Sequence, residues 1–207
     1  MIILIPNLFI INNNTNIIYK KNTSNKHTEI NSAILSKMDK INKFMITENY
    51  LGKSGVQYIF EYEDCDDFSV LPYDKCKHIH GVCFYKNKIA IVLNGPKNTW
   101  GLVGGSIEEG ESFDQTFCRE VKEESNMEVI SFLPVGYQKV IDTRDNSFVY
   151  QLRYICTARP YGEFVSDPAG HITEIKLIDP REIKQYFDWK KIGDRIIERA
   201  LELKNKI

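Results

Sequence analysis

The stretch Gly104–Met127, GGSIEEGESFDQTFCREVKEESNM, constrains this chain more than any other. Seven carboxylates fall between Glu108 and Glu124: Glu108, Glu109, Glu111, Asp114, Glu120, Glu123 and Glu124. Only Arg119 and Lys122 oppose them there, although the whole chain carries a net charge of -1. Acid at that density repels itself unless a cation is bound or the face is fully wet. Ser112 has the character of an N-cap, with Gln115 three residues on, so the spacing predicts a helix from Phe113 to Ser125 that stops at Asn126. At about 100° per residue, Glu120, Glu123 and Glu124 share one sector of that helix. Phe117 and Val121 lie on the adjoining sector, where they would pack on a sheet. Like charges at these spacings oppose helix formation. Oxygen-only donors so grouped suit Mg²⁺ or Mn²⁺, which prefer carboxylates and water. Gly104 and Gly105 read as a turn whose missing Cβ atoms let the backbone approach an ion or phosphate.

The same residues carry a family resemblance. Gly105, Glu111, Arg119, Glu120, Val121, Glu123, Glu124 and Met127 match eight of the nine defined positions of the Nudix box, G-x5-E-x7-R-E-U-x-E-E-x-G-U, where U is bulky and apolar. The departure is Asn126 in place of glycine. Asn tolerates the left-handed conformation next best, so a small loss of stability and no loss of chemistry are expected. The resemblance implies an α/β (α+β) fold, a Nudix-like α/β/α sandwich with a mixed sheet. It implies a metal-dependent hydrolase cleaving the diphosphate linkage of a nucleoside diphosphate joined to another moiety, with Mg²⁺ as cofactor and Mn²⁺ as a substitute. Glu120, Glu123 and Glu124 would be catalytic and would bind the metal, with the Gly105 carbonyl in the same shell. Glu111 and Arg119 would form a structural clamp between loop and helix. Family members usually recruit a further acid from a later loop, and Asp167 and Glu174 are the candidates. A non-catalytic nucleotide-sensing domain and an RNA-end hydrolase are the alternative readings. Downstream positions where some subfamilies carry Pro or Tyr hold Asp142 and Arg144 here, which selects no substrate.

The remaining chain organises around that segment. Residues 1–50 read as an N-terminal extension, Asn-rich and without helical or strand period over much of its length. Met38 or Met45 is a candidate start of translation. MIILIPNLFII is too short to span a bilayer, which takes roughly 18 apolar residues, and it lacks the flanks of a secretory signal. Residues 51–75 read as a leading hairpin or extra strands, with Val56–Cys65 as one strand and Phe68–Leu71 as a segment that would pair back. Residues 76–207 read as the hydrolase domain. Runs on either side of Lys86–Asn87 predict a hairpin. Val129–Val140, Phe148–Ala158 and Ile172–Ile178 predict further strands. Asp179-Pro180-Arg181-Glu182 predicts the start of a closing helix, with Trp189, Ile192, Ile196, Ala200 and Leu203 on its apolar stripe.

Five cysteines without a C-x-x-C pair exclude a zinc ribbon and fit reduced thiols in a cytoplasmic protein. A balanced net charge gives no global attraction to nucleic acid or to a membrane. The resemblance implies a small nucleotide-like diphosphate as the partner, and a homodimer is an assembly to test for. Arg144 and Arg153 are candidate substrate-binding residues, alongside Asp167 and Glu174. His78 and His80 alternate on a strand and point to one face, with no metal role expected of them.

Overall fold

A computed structural model describes residues 45–52, 54–164 and 167–207. The expectations for residues 1–44, including a start at Met38, lie outside the described residues. Eight strands form one sheet: β1 (Met45–Leu51), β2 (Gln57–Asp64), β3 (Cys76–Tyr85), β4 (Lys88–Asn94), β5 (Thr99–Ser106), β6 (Met127–Asp142), β7 (Phe148–Pro160) and β8 (Ile172–Ile178). Their order is β1-β2-β6-β7-β3-β5-β4-β8, and β3 also pairs with β4. The sheet is mixed because β3 and β7 run parallel while the other ladders are antiparallel.

Among the described residues each face carries one α-helix. α1 (Phe113–Ser125) seats Phe117 and Val121 among Ile79, Cys83, Val103, Leu152, Tyr154 and Cys156. α2 (Lys190–Leu203) seats Ile192, Ile196, Ala200 and Leu203 on the opposite face, against Val82, Phe84, Ile91, Leu102 and Ile155. The period-two alternation along β3 and β7 sends neighbouring residues to opposite cores. That is the α/β/α sandwich with a mixed sheet.

Some elements differ from the sequence reading. The leading hairpin forms between β1 and β2, so the sheet takes in Met45–Tyr50 from the span expected as an extension. Phe68–Leu71 does not pair back. Phe68–Val70 is a 3-10 turn capped by Asp67, and it drops Phe68 into the core edge-on to Tyr154. The Gly104–Gly105 pair is not a turn but the last part of β5. The closing helix is two pieces. Asp179 and Glu182 make the expected capping box, yet it starts only a 3-10 helix, Pro180–Gln185. The α-helical run begins afresh at Lys190, with Trp189 as its N-cap. Among the described residues no cysteine is joined in a disulfide, and no helix is long and apolar enough to cross a membrane.

Candidate active site

α1 begins and ends where its sequence directs. Ser112 Oγ accepts from the Gln115 N–H, and the Gln115 side chain accepts from the Ser112 N–H. At the other end Asn126 sits at φ 51°, ψ 36°, the left-handed conformation that its family position requires. Its Nδ2 donates to the Glu163 carbonyl at 2.7 Å, a bond glycine could not make. The chain therefore has its own reason for asparagine there. Asn126→Gly is expected to change stability by less than ~1 kcal/mol, as backbone freedom and the lost bond oppose each other. Asn126→Ala, which loses the bond and resists the conformation, is expected to cost about 1–2 kcal/mol. Urea unfolding of the two variants measures the difference.

The join between β5 and α1 is a network centred on Arg119. Its Nε donates to Glu111 Oε1 at 2.7 Å and its Nη2 to Glu111 Oε2 at 2.9 Å, a bidentate fork. Nη2 also donates to the Ser106 carbonyl at 3.0 Å. Thr116 Oγ1 and the Glu108 N–H both donate to Glu111 Oε2. The guanidinium bonded to Glu111 holds its carboxyl down at about 2. Arg119 and Glu111 thus tie the loop to the helix, and Arg119 does more. Its Nη1 donates to Glu120 Oε1 at 2.9 Å and to Glu123 Oε2 at 3.1 Å, so one guanidinium aligns two further acids.

Glu124 is held from the sheet. Its Oε2 accepts from the Gly104 N–H at 2.7 Å across the β5–α1 contact. Gly105 is the close approach. A Cβ there would stand 2.4 Å from Glu120 Oε1 and 2.6 Å from the other two carboxyl atoms. The glycine leaves the space that the Glu120 carboxylate occupies, and that carboxylate is almost wholly buried. Burial pushes the Glu120 carboxyl up, with the negative charges of Glu123 and Asp167 adding to it and Arg119 opposing. Burial raises Glu124 to about 8, with the charges of Glu120, Asp167 and Glu123 adding to it and the Gly104 N–H opposing.

The sequence candidates divide clearly. Asp167, buried, is brought into electrostatic reach of Glu120 and Glu124. Its carboxylate also accepts from the N–H groups of Ala169, His171 and Ile172, so it organises its own loop. Glu174 is half exposed on β8 and pairs with Lys176. Arg144 is turned onto Asp142 at the β6–β7 turn, through Nε and Nη2. Arg153 lies on the opposite face of the sheet from α1, beside His80. Asp114 accepts from the buried Tyr154 hydroxyl at 2.7 Å. Among the described residues no three acidic, His or Cys side chains converge on one point, because Arg119 holds Glu120 and Glu123 while Gly104 holds Glu124. The donor set nevertheless fits a divalent cation. It is all oxygen, partly desolvated and mutually repelling, and it lies in a cradle that a Cβ on Gly105 would fill.

The NUDIX domain family model matches residues 70–200, well over half the chain. The chain belongs to the Nudix family and is a hydrolase of phosphoric anhydride bonds. A Bacillus subtilis pyrophosphohydrolase structure is similar at TM-score 0.56 and 15% identity, covering 75% of this chain and 96% of that one. A Nudix hydrolase from Nitrosomonas europaea is similar at TM-score 0.52 and 17% identity, covering 62% and 90%. At such identities these two likenesses speak for the fold. A search of curated proteins finds no significant match.

Proposed function

We propose that this chain hydrolyses the diphosphate linkage of a nucleoside diphosphate derivative, with Glu120, Glu123 and Glu124 as its working acids. The observation that carries the reading is their placement. Glu120 and Glu124 of α1 meet the Gly104–Gly105 backbone, Glu123 stands beside Glu120 on Arg119, and the Asp167 charge acts on Glu120 and Glu124. Glu120, Glu123, Glu124 and the Gly105 carbonyl would hold Mg²⁺ or Mn²⁺. When bound, such an ion neutralises phosphate charge and acidifies water for attack on phosphorus.

The chain's own residues set the geometry. Arg119 presents Glu120 and Glu123 in fixed rotamers and is itself fixed by Glu111 and Ser106. Gly104 orients Glu124 by occupying Oε2, so a proton on this carboxyl resides on Oε1. In the metal-free chain this carboxyl, raised to about 8, holds a proton at neutral pH and must release it before it can act as a base or a metal ligand. Water attacks a phosphorus of the anhydride, the P–O bond to the leaving phosphate breaks, and the proton passes to one of these carboxylates. All box acids are present, which favours this reading over a sensor without activity.

The test is a panel of nucleoside di- and triphosphates and X-linked nucleoside diphosphates with Mg²⁺, comparing wild type with Glu123→Gln. The expected result is product release by wild type and a large loss in the variant. Release from no member overturns the hydrolase reading, and equal rates remove Glu123 from the mechanism. Metal binding should also depend on pH. Because the raised Glu124 carboxyl keeps its proton below about 8, a cation must displace that proton. The increase in Tm on adding Mg²⁺ should shrink as pH falls from 8 to 6, measured by differential scanning calorimetry.

A further inference from the structure

Arg153 is a buried cation without a carboxylate partner. It is 3% exposed, and among the described residues its guanidinium meets only neutral acceptors: the Leu152 carbonyl at 3.1 Å, Gln151 Oε1 at 2.8 Å and His80 Nδ1 at 3.3 Å. Among the described residues its Nε has no hydrogen-bond partner. Burial lowers its pKa only to about 10, so it stays charged at neutral pH. A buried charge left so is costly to a fold unless an anion arrives.

Two of these acceptors, His80 and Gln151, also carry hydrogens they can give. Arg153 donates to His80 Nδ1, which leaves the ring hydrogen on Nε2. Burial, together with the Arg153 charge, holds His80 well below its usual pKa, hence neutral. Gln151 accepts through Oε1, which leaves its amide hydrogens unused. The free donors are thus Arg153 Nε, His80 Nε2 and the Gln151 amide, a set complementary to an oxyanion.

Positive charge gathers near this point. The His78 ring lies 6.5 Å from that of His80, and the charges acting on His78 are those of Arg153, Lys97 and Lys77. Lys97 and Lys77 are exposed and Arg153 is buried. The Trp189 ring caps the far side, 5.8 Å from the guanidinium carbon. In register, Arg153 pairs with His80 and His80 pairs with Gly104. In the plane of the sheet two strand spacings, about 10 Å, therefore separate the Arg153 backbone from the backbone that holds Glu124, and the Arg153 side chain lies on the face away from α1. That is too far for the neighbouring phosphorus of one anhydride, and it suits a remote group reached round the sheet rather than through it.

We propose that Arg153, His80 and Gln151 form a specificity site for a second oxyanion of the substrate, a phosphoryl group separated from the scissile anhydride by about the length of a nucleoside. The inference rests on the hydrolase reading above and adds where on the molecule selectivity lies.

The experiment uses the full chain in two arms. In EDTA, titration calorimetry with inorganic pyrophosphate compares wild type, Arg153→Gln and Arg153→Lys. Wild type should bind, Arg153→Gln should lose at least ~10-fold, and Arg153→Lys, which keeps charge but lacks the Nε donor, should lose less. With Mg²⁺ and the panel nucleotide that is turned over best, Arg153→Gln should raise KM at least ~10-fold and leave kcat within ~3-fold. If circular dichroism shows that Arg153→Gln does not fold, Gln151→Leu decides, with a smaller loss in the same direction. Wild type that binds no pyrophosphate in EDTA, or folded variants with unchanged affinity and KM, overturn the proposal. Turnover that needs Glu123 but ignores Arg153 refutes this site and leaves the hydrolase reading standing. Pyrophosphate binding that needs Arg153 in a protein without turnover does the reverse.

Discussion

Glu124→Gln is expected to lower kcat by about 10²–10⁴-fold, the range for removing a working acid or base, without unfolding the protein. The amide oxygen can still accept from the Gly104 N–H that now meets Glu124 Oε2 at 2.7 Å. What is lost is the negative charge and the capacity to take a proton. Stability should move the other way. Burial raises the Glu124 carboxyl from 4.5 to about 8 in the folded chain. Between those values the folded state keeps a proton that the unfolded chain releases, so metal-free wild type loses stability as pH rises through that window. The glutamine variant has no such slope. In EDTA its urea midpoint should equal or exceed that of wild type at pH 8.5, and the gain should vanish at pH 4. A variant within ~3-fold of wild-type kcat would remove Glu124 from the mechanism.

Gly104→Ala should be the most damaging small substitution in the chain. Gly104 has φ +143°, and a Cβ there would lie 2.1 Å from the Ile79 carbonyl oxygen and 2.6 Å from His80 Cα. Both atoms are backbone in the neighbouring strand, so no rotamer relieves the clash. Torsional strain of about 1–3 kcal/mol adds to overpacking of about 1–3 kcal/mol. Against a typical stability of about 5–15 kcal/mol, this leaves a weakly folded or unfolded chain. Gly110→Ala separates the two terms, since Gly110 also has positive φ, at +85°, but nothing lies within 4 Å of its added Cβ. Urea midpoints of both variants check the prediction. Equal losses would show that the contact with β3 contributes nothing.

The candidate site was legible wherever its determinants are local. Ser112, Gln115 and Asn126 bound a helix that the structure places at Phe113–Ser125, because capping depends on residues three or four apart. The sheet face was legible too, since alternation along Phe148–Ala158 is a property of one strand. The rest depends on contacts across the chain. Gly104 and Gly105 look like a turn until β3 is set beside them, when their lack of side chains becomes a condition for strand packing and for the Glu120 carboxylate. Asp114 looks solvated until Tyr154 arrives from β7. Asp179 and Glu182 signal a helix start correctly, but not that the first piece is a 3-10 turn ending before Trp189. The Arg153–His80 contact comes from a parallel ladder between strands far apart in sequence, which no local pattern encodes. Arg144 folds back onto Asp142 two residues away, a contact that reading it as a phosphate ligand left out of account.

The parallel β3–β7 ladder has a consequence for assembly. Among the described residues it is the one strand pairing that joins β1, β2, β6 and β7 to β3, β5, β4 and β8. The hairpin pairings connect strands close in the chain, whereas β3–β7, like β2–β6 and β4–β8, closes a long loop and is entropically later than the hairpins. Phe117 of α1 lies over that seam, stacked on Tyr154 of β7 at 4.7 Å and directly above Gly81 of β3, the register partner of Tyr154. The acidic helix therefore has no finished seat in either half alone. During refolding, hairpin formation should precede metal-responsive thermal shift and turnover, and those two should appear together as the halves zip shut.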